Sequence, residues 1–186
     1  MDKDQPSSQQ KVKFTPTIAF KVAAAAIFAS LVATATLLFV VPIPATSGYF
    51  NLGEALIYTA ALLFGPIVGA VAGAGASIAD ILVAAQFAPG TATIKAIEGF
   101  LVGFLTKKLN RKIESLSLCA TIAILIGGFE MVVGYFLYET LVLGYPALAA
   151  AAEVPFNITQ MLIGLAIAVP IMHAILRIFP QLKSQV

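Results

Sequence analysis

The sequence predicts an all-α, polytopic membrane protein with six transmembrane helices and both termini in the cytoplasm. Hydrophobic residues make up 60% of the 186 residues and charged residues only 11%, against about 25% charged residues in a typical soluble domain. No charged residue interrupts 22–53, 55–79 or 154–176. Uncharged apolar stretches of about 18 residues or more are typical of membrane spans. These stretches and the placement of the cations predict the architecture.

Prolines, glycines and polar turns divide the apolar sequence into spans. A single membrane domain is predicted at 14–180, between cytoplasmic tails at 1–13 and 181–186. Pro42 ends the first span, because proline lacks the amide hydrogen that a helix interior needs. The pair Gly65-Pro66 separates spans two and three, since glycine favours a helix end and proline a helix start. The predicted spans are 15–41, 53–64, 66–85, 91–106, 115–143 and 154–179.

The cations decide the number of spans and their direction. With six spans, all Lys and Arg residues except Lys95 fall on one side of the membrane, which the positive-inside rule assigns to the cytoplasm. A five-span arrangement that fuses spans two and three would split these cations between both sides. Basic clusters beside apolar segments are topology signals, which weighs against nucleic-acid binding. The flanking cations are Lys3, Lys11, Lys13, Lys21, Lys107, Lys108, Arg111, Lys112, Arg177 and Lys183.

Several ionisable and amide side chains lie at membrane depth. A charge at the bilayer centre costs about 2.5–3.5 kcal/mol on insertion scales, so each is a functional hypothesis. Glu130 is predicted near the middle and Glu139 at the outer interface. The whole distribution resembles a cup that opens to the outside. The other members of this outer polar layer are Glu54, Asp80, Lys95, Glu98, Glu153, Asn157 and Gln160.

Lys95 and Glu98 are three residues apart and share a helix face. Two interpretations stay open for Lys95. It forms a structural ion pair with Glu98 or Asp80, or it contacts a ligand.

Small residues recur at four-residue spacing in three spans, and such stripes allow membrane helices to pack closely. Intramolecular packing is favoured for the stripes in spans three and four. For span one, docking of another membrane subunit is almost as well supported as internal packing. The stripes are Ala25, Ala29 and Ala33; Gly65, Gly69, Gly73 and Ser77; and Gly99 and Gly103.

Motifs for covalent chemistry are missing from the sequence. There is no HExxH, GxSxG, P-loop or Cys-His cluster, and Cys119 is the single cysteine. We therefore predict no enzyme activity, no catalytic residue, no metal site and no cofactor. Without a Walker A motif, the chain also cannot itself power ATP-driven uptake.

Three segments resemble the substrate-binding S components of energy-coupling factor (ECF) vitamin transporters, in the branch of the riboflavin, hydroxymethylpyrimidine and pyridoxine types. They are GYFNLGEALIYTAALLFGPIVGAVAGAGASIADIL at 48–82, APGTATIKAIEGFLVGFL at 88–105 and PFNITQ at 155–160. The likeness covers most of the chain, including the short second helix. It implies a multi-pass protein of a prokaryotic plasma membrane that binds a vitamin near its outer face and associates with a transmembrane T component and two ATPases.

In that family, the loop after helix one covers the ligand, and small residues of helix one contact the T component. The resemblance therefore implies partner contacts at Ala25, Ala29 and Ala33. Hydroxymethylpyrimidine or a pyridoxine-like compound is favoured over riboflavin, because carboxylates pair well with an aminopyrimidine edge. A membrane scaffold without a small-molecule ligand and a stand-alone carrier remain alternatives. The predicted substrate-binding residues are Tyr49, Asn51, Glu54, Asp80, Lys95, Glu98, Asn157 and Gln160.

Overall fold

The computed structural model describes residues 17–184. The tail predicted at 1–13, the start of the membrane domain at 14–16 and the last two residues of the second tail lie outside the described residues. Helices dominate the rest, with one two-stranded antiparallel sheet. The elements are α1 Ile18–Leu38, β1 Val41–Pro42, β2 Tyr49–Phe50, α2 Glu54–Phe64, α3 Pro66–Ala74, α4 Ala76–Val83, α5 Ala88–Leu109, α6 Leu116–Leu141, α7 Ala147–Ala151, α8 Val154–Ile178 and a 3-10 helix Pro180–Ser184.

The predicted all-α, polytopic fold class is confirmed, and each predicted span corresponds to a helix or a pair of helices. By length and composition, four segments could cross a membrane, and they belong to α1, α3 with α4, α6, and α7 with α8. α2 is apolar but has only 11 residues, about 16 Å of helix. α5 has 22 residues, and the charged side chains of Lys95, Glu98, Lys107 and Lys108 lie on it.

Three local features differ from the predicted spans. Span three is two helices, α3 and α4, which meet at Gly75. The loop predicted at 42–52 contains the β1–β2 pair, in which Val41 lies opposite Phe50. The loop at 144–153 contains the short helix α7. Each of these features is too short for hydrophobic periodicity to reveal it.

A seam of glycines joins α3 to α5. A Cβ atom on Gly69 would collide with the carbonyl oxygen of Gly99, and one on Gly73 would collide with the carbonyl oxygen of Lys95. A Cβ on Gly103 would lie 2.6 Å from the backbone of Gly65 and Pro66. The two backbones are therefore in direct contact, as small residues permit between membrane helices. The intramolecular interpretation of these stripes fits this contact.

The turns and loops gather at two ends of the helix bundle. At one end, the side chain of Lys107 lies over Gly65, whose φ of +87° favours glycine. At the other end, the hydroxyl of Tyr138 donates to the carbonyl of Gln86 over 2.8 Å, and the hydroxyl of Thr46 donates to Glu153. Lys107 belongs to the basic side that the sequence assigns to the cytoplasm, so the hairpin end is the predicted outer end.

Candidate substrate-binding site

A polar cavity lies at the hairpin end of the bundle. The β1–β2 hairpin and the segment after it cover this cavity, while α4, α5, α6 and α8 form its walls. Each wall contributes one or two side chains near the outer end of its helix. The lining residues are Gly48, Tyr49, Asn51, Asp80, Phe87, Thr91, Lys95, Tyr135, Asn157 and Gln160.

Hydrogen bonds tie the hairpin cover to the walls. The Tyr49 hydroxyl donates to the Asp80 carboxylate on α4. The backbone N–H of Asn51 donates to the Gln160 side-chain oxygen on α8 over 2.5 Å, and the Asn51 side chain accepts from the N–H of Gly53 over 2.9 Å. Burial and the bond to Asp80 raise the pKa of the Tyr49 phenol well above its usual value, so Tyr49 remains a donor. The cover is thus held closed by polar contacts.

Lys95 is the buried cation of the site. Its ammonium group pairs with the Glu54 carboxylate and lies 4.0 Å from a carboxylate oxygen of Glu98. It also lies 5.7 Å from the centre of the Tyr135 ring, a distance at which a cation is attracted to an aromatic face. Lys95 is 2% exposed. The single ammonium group of Lys95 is therefore shared by the carboxylates of Glu54 and Glu98.

Glu98 has a second partner on α2. The Tyr58 hydroxyl donates to Glu98 over 2.6 Å, and both residues are completely buried. One carboxylate oxygen of Glu54 and one of Glu98 have no hydrogen-bond partner among the described residues. A buried polar atom without a partner costs about 1–3 kcal/mol. The other contacts around Lys95 must offset this cost.

Six of the eight predicted substrate-binding residues line the cavity, and two do not. Glu54 and Glu98 lie behind Lys95, where they hold its ammonium group. Lys95 does lie within ion-pair distance of Glu98, as predicted, but its closest carboxylate is Glu54 on α2, which the sequence did not indicate. Spacing along α5 favours Glu98, but the packing of α2 against α5 brings Glu54 nearer.

The sequence interpretation missed four lining residues, Gly48, Phe87, Thr91 and Tyr135. Thr91 precedes Lys95 by four residues, so helical spacing could have placed it on the same face. Its hydroxyl lies 2.8 Å from that of Tyr135. Tyr135 had no such signal, since α6 carries polar groups on several sides and only packing selects the face that meets the cavity.

Two other acids at this end lie outside the cavity wall. Glu139 was predicted at the interface, but it is fully buried, beside Glu153. Glu153 accepts from Thr46 in the hairpin. Glu153 therefore ties the hairpin to the start of α8, and Glu139 lies beside it. Glu130, predicted near the middle of the membrane, is half-buried on α6 and does not line the cavity.

The alanine stripe of α1 is partly buried against the bundle. Ala25 and Ala33 are buried, and the backbone of Ala29 lies against Gly75, where an added Cβ would come 2.7 Å from the Ala29 Cα. The contact of Ala25, Ala29 and Ala33 with a partner subunit stays a prediction, since Ala29 is half-buried beside the buried Ala25 and Ala33. Gly75 lets α1 approach the bundle closely at this point.

The cavity offers hydrogen bonding and charge rather than covalent chemistry. Donors are available from Lys95, Thr91 and the amides, and acceptors from Asp80 and the same amides. Among residues 17–184, no group of three or more His, Cys, Asp or Glu side chains is arranged to hold a metal ion. The free space measures about 30 Å³, room for roughly two or three water molecules. A ring-shaped ligand therefore requires the cover or its side chains to move outward.

Comparisons with known proteins give one family. The profile of the family described as "ECF-type riboflavin transporter, S component" matches residues 18–177. A protein of Pyrococcus woesei described as "Uncharacterized protein in gap 3'region" is 36% identical over 137 residues, which cover 73% of this chain and 88% of that protein.

Solved structures with a similar fold include one described as "Structure and mechanism of the S component of a bacterial ECF transporter". The match has a TM-score of 0.67 and covers 88% of this chain and 99% of that one. The two sequences are 13% identical, so this likeness concerns the fold alone.

Proposed function

Because this chain belongs to the family of ECF-type riboflavin transporter S components, we propose that it captures a small heterocyclic vitamin or vitamin precursor at its outer face. S components are multi-pass membrane proteins that bind the substrate of a transporter and are not enzymes. The observation that carries the proposal is the outer cavity, in which side chains from the hairpin and four helices converge.

Hydroxymethylpyrimidine or a pyridoxine-like compound is the favoured substrate. Asp80 and the buried Lys95 lie in the cavity wall, with Glu54 and Glu98 behind Lys95. A carboxylate accepts two parallel hydrogen bonds from an aminopyrimidine edge. Tyr49, Phe87 and Tyr135 supply aromatic surface for a single ring. The narrow space supports a small ligand over a three-ring one.

Riboflavin is the second candidate, and the description of the matching family favours it. Its isoalloxazine ring would need a much larger opening than the cavity now has. Outward movement of the hairpin, which breaks the Tyr49–Asp80 bond, would supply part of that room. The two candidates therefore differ in how far the cover must move.

Uptake would be a cycle of binding and reorientation. The hairpin would occlude the ligand, and a T component with two ATPases would supply the energy. The chain itself would contribute capture and specificity. A T component would dock on α1 along the stripe of Ala25, Ala29 and Ala33, where Ala29 is half-buried and the nearby Ile27 and Ser30 are exposed.

Binding can be tested by calorimetry and thermal unfolding of the purified protein with hydroxymethylpyrimidine, pyridoxine and riboflavin. We expect one compound to stabilise the protein selectively, and the Asp80→Asn variant to lose most of this effect while remaining folded. Glu114→Gln is the matched control, because Glu114 is an exposed acid on the basic side. A flat response to all three compounds, together with stable association with a T component, would favour the scaffold alternative.

A further inference from the structure

A groove between α1 and α3 lies at the end of the bundle opposite the cavity. Its volume is about 540 Å³, within the range of clefts that hold small ligands. Ile18 and Val22 of α1 form one wall, and Ile67 and Val71 of α3 form the other. These four side chains are 42–83% exposed. The groove is thus open and apolar along its length.

Two lysines flank this groove. Lys21 and Lys107 both line it, and the charges of Lys21 and Arg111 act on Lys107. Among residues 17–184, the ion pairs are those of Lys95, so no carboxylate there neutralises Lys21 or Lys107. The ammonium of Lys107 lies over Gly65, within 2.8 Å of the position of an added Cβ. Within residues 17–184, the groove therefore combines two lysines that have no carboxylate partner with an apolar wall.

We propose that this groove binds an anionic phospholipid of the inner leaflet, with its phosphate on Lys21 and Lys107 and one acyl chain along the apolar walls. The lining extends on α1 from Ile18 to Ala26, about 12 Å at the rise of an α-helix. Basic pockets between helices on the cytoplasmic side are typical sites for anionic headgroups. A free phosphate would use the lysines but leave the apolar walls uncovered, so the walls select a lipid.

The test is native mass spectrometry of the full-length protein with added phosphatidylglycerol or phosphatidylcholine. We expect selective retention of phosphatidylglycerol, reduced roughly tenfold or more in the Lys21→Ala/Lys107→Ala variant, because each lysine near an anionic surface contributes substantially. The matched control is Lys108→Ala/Lys112→Ala, which removes two exposed charges from the same basic stretch outside the groove. If the alanine variant does not fold, Lys21→Gln/Lys107→Gln keeps most of each stem.

Other outcomes would overturn the proposal. Equal retention by both double variants would mean that Lys107 only stabilises the C-terminal end of α2 and that Lys21 is a general surface charge. Equal retention of phosphatidylcholine and phosphatidylglycerol would mean that the two lysines do not select an anionic headgroup. Displacement of phosphatidylglycerol by soluble glycerol phosphate would indicate a free-phosphate site. Loss of T-component association with unchanged lipid retention would indicate that the groove docks a protein.

Discussion

The two faces of α5 differ in their residues: one carries glycines and the other carries charged side chains. Towards α3, Gly99 and Gly103 bring backbone into contact with backbone, without charged side chains at the contact. Towards α2 and the cavity, Lys95 and Glu98 enter a cluster of buried charges. The faces meet at Lys95, because its carbonyl oxygen packs against Gly73 while its ammonium pairs with Glu54. The seam therefore positions the cation on which the cavity depends.

Substitutions on the glycine face should destabilise the protein by steric clash, and those on the charged face by leaving buried charges without a partner. On the glycine face, one added methyl group meets backbone that cannot rotate away. On the charged face, a side chain of equal size can replace another, but a carboxyl group that loses its partner stays buried. Stability should therefore be lost for a different physical reason on each face.

Removal of the buried cation should have the largest effect. In Lys95→Met, Glu54 and Glu98 lose their counter-charge, and breaking a buried pair in this way costs about 3–5 kcal/mol. We expect a large fall in the thermal unfolding temperature in detergent. Lys95→Met/Glu54→Gln should recover part of it, and Lys108→Met, at an exposed lysine of the same helix, should change little.

Measurements of ligand affinity would separate a direct role of Lys95 in binding from a supporting role of Glu98. If Lys95 contacts the ligand directly and Glu98 only supports it, Lys95→Met/Glu54→Gln should lose more affinity than Glu98→Gln. A Lys95→Met protein as stable as the wild type would show that the charged cluster does not contribute to stability. Unchanged affinity in both folded variants would remove Lys95 and Glu98 from the proposed site.

Gly99→Ala should have the next largest effect. The added methyl would collide with the backbone of Gly69, and overpacking of this kind costs about 1–3 kcal/mol. Thermal unfolding should shift downward, and ligand affinity should fall with it because Lys95 moves. Gly134→Ala is the control, since its methyl would meet side-chain atoms alone, of Ile94 at 3.0 Å and of Glu130 at 3.5 Å, and no backbone of another helix. Equal stability of the two variants would contradict the rigid-seam interpretation.

Tyr49→Phe should have the smallest effect on stability, about 0.5–1.5 kcal/mol for one hydrogen bond. Its larger effect should be kinetic, because the hydroxyl holds the hairpin to Asp80. We expect ligand dissociation to be a few times faster by stopped-flow fluorescence. Tyr145→Phe is the control, since no hydrogen bond of its hydroxyl is present in the described part of the chain. Identical dissociation rates would mean that the hairpin does not gate the cavity.

Local sequence signals predicted most of the helices but not their breaks. Gly65-Pro66 marked the boundary between α2 and α3, because proline and glycine act on the backbone of their own segment. The first helix ends at Leu38, before the predicted stop at Pro42, which lies in β1. Gly75 gave no comparable signal, because it resembles the packing glycines beside it. The β1–β2 pair has two residues per strand, too few for an alternating pattern.

Hydrophobicity and charge act on each segment separately, so the sequence is enough to predict the class of the protein, its basic side and the outer layer of polar residues. Which of these residues meet depends on how the helices pack. The packing places Glu54 closer to Lys95 than Glu98 is, brings Tyr135 into the cavity and buries Ala25 and Ala33 of α1. Helical spacing fixes neighbours within one helix, whereas the rotation and depth of each helix depend on close contacts such as those at Gly69, Gly73 and Gly75.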